Sequence, residues 1–269
     1  GEKITAVIPL ADYEEGKYLL MATKYGVVKK SSIMEYANIR KTGLAAITLK
    51  DDDQLIEVKY TEDDEDVFLV TKNGQCIRFH ESDVRCIGRT SMGVRGINLT
   101  GDDEVIGMQL DSQGEALLIV SANGMGKRTS MGEFTCQNRG GKGVKTINIT
   151  EKTGKLVAIK NVTDENDLMI INKSGIAIRM KVADLNVIGR ATQGVRLINL
   201  EKRNDEIASV CKVLSESEEE IAEQKAEQEA RQENEGRELS ENQASLGTDV
   251  DLPESEEDNE QNDNEEITE

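Results

Sequence analysis

Apolar and polar positions alternate in short paired runs, and the same pair recurs four times. The copies read LLMATKYGVVKK (19–30), FLVTKNGQCIRF (68–79), LIVSANGMGKRT (118–129) and MIINKSGIAIRM (169–180). In each, an apolar run meets a polar turn ending in glycine, and a second run ends on basic residues. The turn glycines Gly26, Gly74, Gly124 and Gly175 are spaced by 48, 50 and 51 residues. A second glycine follows each, at Gly43, Gly93, Gly143 and Gly194, and opens a further alternation: LAAITL, VRGINL, VKTINI and VRLINL. A third element, an acidic turn with a short alternating strand, appears as DDQLIEV, DDEVIGM, TGKLVAI and NDEIASV. The last of these, from residue 204, reads either as the start of a unit that is never completed or as a strand that completes the last blade, pairing locally or with residues 1–10 (GEKITAVIPL), which read as the same element at the other end.

Period-two alternation over four to eight residues, bounded by Gly, Asn and Asp, predicts strands and gives each unit about four of them. Asn73-Gly74 and Asn123-Gly124 predict tight hairpins with both central residues at positive φ. Four strands per unit at a period near fifty describe the blade of a propeller. The expectation is an all-β, propeller-like array of four four-stranded blades over residues 1–213.

Composition narrows the core. Aromatics make up 3% of the chain and Trp is absent, so the interior has to be built from Ile, Val, Leu and Met. No run reaches the roughly 18 apolar residues of a membrane span, no secretory leader opens the chain, and the Gly1 start reads as that of a fragment. Cys76, Cys86, Cys136 and Cys211 show neither CxxC nor metal-ligand spacing and are expected to be reduced structural thiols.

The formal net charge of -19 divides unevenly. Residues 214–269 hold 22 acidic and 3 basic side chains, which leaves 30 of each in residues 1–213. The tail, rich in Glu, Gln, Asn and Ser, lacks the apolar area to offset chain entropy and is expected to be disordered. Within the neutral part, acids gather in turns such as 51–53, 62–66 and 102–104, while bases follow the turn glycines and flank the second glycines.

Those bases are the candidate chemistry. Lys29, Lys30, Arg78, Lys127, Arg128 and Arg179 end the second runs; Arg89, Arg190, Lys142 and Lys145 flank the second glycines, together with Arg40, Lys41, Arg85, Arg95 and Arg196. Stacked blade upon blade, they would form a basic belt able to follow a phosphate backbone. The plainer alternative is that each base merely faces water at an outward strand position. One copy is specialised: QNRGGKG supplies Gln137, Arg139 and Lys142 as donors, with Gly140, Gly141 and Gly143 clearing room for backbone amides to approach phosphate oxygens. Competing motifs fail. SANGMGKR lacks the first glycine of a phosphate-binding loop and puts Arg128 where Ser or Thr must hold magnesium; GKGVKT ends in Thr146 where a dinucleotide loop needs glycine. His80 is the lone histidine, with no ligand partners at useful spacing.

The repeat, the segments GRTSMGVRGINL and GRATQGVRLINL, the QNRGGKG heptapeptide and the acidic tail together resemble the C-terminal domain of the DNA gyrase A subunit, over essentially all of residues 1–213. That resemblance implies a β-pinwheel whose blades exchange strands and whose basic rim wraps duplex DNA without base readout. It implies an ATP-dependent type II topoisomerase of A2B2 composition, cytoplasmic and associated with the bacterial chromosome, that introduces negative supercoils. ATP, magnesium and the DNA-cleaving tyrosine would belong elsewhere in the holoenzyme, and this segment would need no cofactor and touch no membrane. The family's box is Gln, a basic residue, Arg, Gly, Gly, a basic residue, Gly; Asn138 replaces the first base. The family usually has six blades with the box on the first. Four blades with the box on the third therefore read as the last four, carrying a secondary copy. Two alternatives accompany this reading: the A subunit of topoisomerase IV, and a propeller that binds protein and not DNA.

Overall fold

The computed structural model describes residues 4–10, 12–200 and 205–215. The expected disorder of the acidic tail lies outside the described residues from residue 216 onward.

The first repeat forms β1 (Tyr18–Thr23), β2 (Val27–Ser32) and β3 (Leu55–Thr61). The second forms β4 (Asp66–Thr71), β5 (Gln75–His80), β6 (Val94–Arg95) and β7 (Val105–Leu110). The third contributes β8 (Ala116–Ser121), β9 (Met125–Ser130), β10 (Val144–Lys145) and β11 (Leu156–Val162). The fourth contributes β12 (Asn166–Asn172), β13 (Ala177–Lys181), β14 (Val195–Arg196) and β15 (Ile207–Leu214). Among the described residues there is no α-helix, only 3-10 turns.

The sheet orders are β3-β1-β2-β6, β10-β5-β4-β7, β11-β8-β9-β14 and β13-β12-β15. Each repeat thus builds three strands of its own blade and, from the second repeat on, sends a two-residue strand, opened by its second glycine, to the edge of the blade before. The pinwheel exchange implied by the family resemblance is present. Two expectations change with it. The fourth sheet has three strands among the described residues, none of which comes from a further repeat. The segment after Gly43 forms no strand, and among the described residues no blade stands before the first to receive one.

The ends of the chain change as well. Residues 4–10 carry no strand, and Ile4 and Val7 are 86% and 84% exposed. Of the outcomes open to the segment after residue 204, it completes the fourth blade by pairing locally: β15 pairs along β12 from Ile207 to Leu214, and the Ser215 amide bonds to Glu165 O.

Both faces of a central strand are buried, so its side chains alternate between two cores. Val67 and Leu69 of β4 enter a cluster with Leu20, Val28 and Met108 of the first and second blades, while Phe68 and Val70 enter one with Leu117, Ile119 and Phe134 of the third. A third cluster joins Leu118 and Val120 to Leu168, Ile170 and Ile207. All three phenylalanines are buried, and Phe68 meets Phe134 edge-on at 5.9 Å. Each such side chain contributes about 1.5–3 kcal/mol on burial, so cohesion here lies between the blades.

The hairpin turns also differ from expectation. Gly74 and Gly124 have φ of 85° and 80°, but neither Asn73 nor Asn123 has positive φ. The Gly74 amide bonds to Thr71 O and the Gln75 amide to Thr71 Oγ1. Only the glycine has to be left-handed, as in a type I turn followed by a bulge. Asp53 and Asp103 fix the neighbouring loops: Asp103 Oδ1 accepts from the amides of Asn73 and Glu104, and Asp53 Oδ1 from those of Tyr25 and Gln54. The acidic turns are thus partly structural caps, and His80 likewise caps a 3-10 turn by accepting from the Ser82 amide.

Candidate nucleic-acid interface

The bases that end the second runs turn inward. Lys29 and Lys127 are 0% and 1% exposed. Lys29 Nζ donates to Ala46 O and to Arg89 O. Lys127 Nζ donates to Gly189 O at 2.7 Å, to Arg190 O and to Thr192 Oγ1. Each ammonium thereby ties its strand to the loop that the following repeat lays across it. Desolvation lowers both lysines from the ordinary 10.5 to about 8, helped by the neighbouring charges of Arg89 and Arg190.

One residue further along, Lys30, Arg78, Arg128 and Arg179 occupy a second equivalent position. Lys30 is buried among Asp63, the Glu81 carbonyl and the Glu81 carboxylate at 3.7 Å, and burial holds the Glu81 carboxyl above its usual range. Arg78 pairs with Asp66 at 2.6 Å and caps the carbonyls of Met131 and Phe134. Arg128 pairs with Asp164 and caps Leu185 O. Arg179, on the edge strand, is exposed but bonded to Asp167 at 2.7 Å and to Leu214 O. A strand-borne basic belt facing DNA is thus corrected for Lys29, Lys30, Lys127 and Arg128, which are buried, and for Arg78, which is largely committed to Asp66 and two carbonyls. Their charges offset the unpaired backbone carbonyls created where one repeat crosses another.

The QNRGGKG loop is likewise a clasp on the repeat before it. The Gln137 amide bonds to Arg78 O at 2.8 Å, the Gly140 amide to Gly96 O at 2.7 Å, and Gly141 O accepts from the Asn98 amide at 2.8 Å. A Cβ on Gly143 would lie 2.5 Å from Cys76 O. The glycines admit the neighbouring backbone, and the amide of Gly140 is not available to a phosphate. Arg139 donates from Nε to Asp83 O at 3.0 Å and from Nη1 to Arg95 O. Arg89 and Arg190 stand at the same place in their repeats and reach Ala45 O at 2.7 Å and Lys145 O at 2.8 Å.

What faces outward is a different set. Arg95, Lys145 and Arg196 are exposed at the same position of β6, β10 and β14, the outer strands of three successive blades. Lys142 of the heptapeptide is exposed beside them, as are Arg40, Lys41 and Arg85. Of the residues expected to meet phosphate, then, Lys142 and Lys145 present their charge to solvent, Gln137, Arg139, Arg89 and Arg190 brace the loops, Arg179 is exposed but paired with Asp167, and the other strand bases lie beneath or are committed to internal partners. The equivalence of Arg95, Lys145 and Arg196 is visible in the sequence as VRG, VKT and VRL after each second glycine.

The DNA gyrase C-terminal domain, beta-propeller family matches residues 17–62, 65–110, 115–163 and 166–211, one match per repeat. The DNA gyrase A subunit of Clostridium acetobutylicum is 45% identical over 221 residues, covering 82% of this chain and 26% of that protein. Its counterpart in Halalkalibacterium halodurans is 56% identical over 218 residues, covering 81% and 26%. The chain thus spans about a quarter of the length of the curated relatives it matches. Among solved structures, the C-terminal domain of DNA topoisomerase IV superposes with TM-score 0.73 at 28% identity, covering 82% of this chain and 69% of that one. The DNA gyrase A C-terminal domain superposes with TM-score 0.68 at 27% identity, covering 76% and 68%. With one match on each of its four repeats and strand exchange between its blades, the chain belongs to the DNA gyrase C-terminal domain, beta-propeller family.

Proposed function

We propose that this chain holds duplex DNA along the outer edge of its blades, as the wrapping part of a gyrase A subunit. The observation that carries the reading is the recurrence of Arg95, Lys145 and Arg196 at one exposed position of three consecutive outer strands, with Lys142 alongside. Phosphate contacts of this kind fix the path of a duplex and carry no sequence information. Bending a 20–30 base-pair stretch costs about 1–6 kcal/mol, so many modest contacts along a curved edge suit the task better than one deep site.

In the whole protein, an A2B2 assembly with gyrase B would use ATP and magnesium elsewhere, in the cytoplasm and on the chromosome, and convert the wrap into negative supercoils. The segment itself would be noncatalytic. The acidic stretch beyond residue 215 would compete with DNA for the rim, so its deletion would tighten binding. Fold likeness to a topoisomerase IV domain supports a second reading, as the corresponding part of that enzyme; relatives at 45% and 56% identity favour gyrase. Ligation of nicked circular DNA in the presence of the chain tests wrapping: a shift in linking number supports it, and an unshifted distribution with saturating protein refutes it.

A further inference from the structure

The one arginine of the QNRGGKG loop is spent on backbone. Its guanidinium bridges two carbonyls of the preceding repeat, Asp83 O and Arg95 O. The next residue, Gly140, has φ of 82° and donates its amide to Gly96 O. A Cβ at Gly140 would lie 3.9 Å from both Cγ and Cδ of Arg95, so the stem of Arg95 passes beside this glycine with room to spare. The Arg95 side chain is exposed and has no carboxylate partner among the described residues.

We infer that Arg139 is a positioning residue for DNA binding: it fixes the backbone of Arg95 so that Arg95 meets the phosphate, and Arg190 does the same for Lys145. This rests on the DNA reading above. A planar fork can donate in two directions at once, to carbonyls that a single ammonium cannot bridge in the same geometry. A second copy of the contact supplies an internal control. Arg89 holds Ala45 O through Nη1 alone, its buried Nε making no hydrogen bond, and Ala45 has no charge to present.

A double-mutant cycle on the 269-residue chain tests this, with Arg139→Lys, Arg95→Ala and the double variant bound to linear duplex DNA across a salt series. Arg139→Lys keeps the charge and removes the fork. It is expected to weaken binding several-fold, about as much as Arg95→Ala, and to flatten the slope of log K against log salt by about 0.9, the value of one lost phosphate. In the Arg95→Ala background it should change nothing further, and Arg89→Lys should leave affinity and slope at wild type. Wild-type affinity in Arg139→Lys, or losses that multiply in the double variant, would overturn the inference while leaving the DNA reading standing. A wild-type chain with shallow salt dependence would overturn the DNA reading and the inference with it. If Arg139→Lys fails to fold by thermal melt, the Arg190→Ala and Lys145→Ala cycle, which removes the single Nη1 bond to Lys145 O, takes its place with the same two outcomes.

Discussion

The ammonium of Lys127 lies 2.7 Å from the carbonyl oxygen of Gly189, 62 residues further along the chain. The contact joins the third repeat to the fourth, and Lys29 makes its counterpart between the first and second. A charge that reads as surface from its own strand is thus an internal strut.

Replacing Lys127 by methionine should leave the buried carbonyls of Gly189 and Arg190 without this donor and cost about 1–3 kcal/mol. Because the side chain is buried, the salt dependence of DNA binding should be unaltered. Thermal melting and a salt titration of Lys127→Met read the two effects separately. A reduced slope would restore Lys127 to the set of phosphate contacts.

Burial of Lys29 and Lys127 also sets a pH dependence. With both lowered to about 8 from 10.5, the unfolded chain still holds protons between those values that the folded chain has released. Stability therefore rises with pH across that window. Cys76 opposes this above its ordinary value of 9.0: burial raises its thiol, so the folded chain keeps a proton that the unfolded chain loses. Subtracting the profile of a Lys29→Met/Lys127→Met variant cancels the cysteine. Relative to that variant, wild type should gain stability from about pH 8 to 10.5; parallel curves would contradict the assignment.

The second glycines separate two costs. Gly43 and Gly143 share φ of 76°, but a Cβ at Gly43 would meet nothing within 4 Å, whereas one at Gly143 would lie 2.5 Å from Cys76 O. Gly43→Ala should carry only the left-handed penalty of about 1–2 kcal/mol. Gly143→Ala must in addition displace backbone and should lower the melting temperature by clearly more. Equal shifts would show that the exchange strand is not held as described.

The repeat was legible because its signals are local: alternation, turn glycines and acidic caps each depend on a few neighbouring residues. Blade exchange was not, because the recipient of Val94 and Arg95 is the stretch at Val27 and Val28, in the previous repeat. The direction of the strand bases was hidden for the same reason. A Lys at an alternate strand position looks outward until a later loop is laid over it. One signal was available: the position of Lys29 and Lys127 is filled by Ile77 and Ile178 in the other two repeats. A site that alternates lysine with isoleucine faces inward. The family resemblance supplied pinwheel exchange and the repeat itself singled out the heptapeptide, but the role of that heptapeptide as a clasp emerges only in the contacts of Arg139, Gly140 and Gly143.

The most direct test compares two variants in one salt series on linear duplex DNA. One removes the exposed rim (Arg95, Lys142, Lys145 and Arg196, each to Ala) and the other removes the internal struts (Lys29→Met/Lys127→Met). If the rim holds DNA, the first should lose up to about 0.9 of slope per contact removed while the second keeps the wild-type slope at whatever temperature it remains folded. A rim variant with wild-type slope, or a strut variant with a reduced one, would contradict the account.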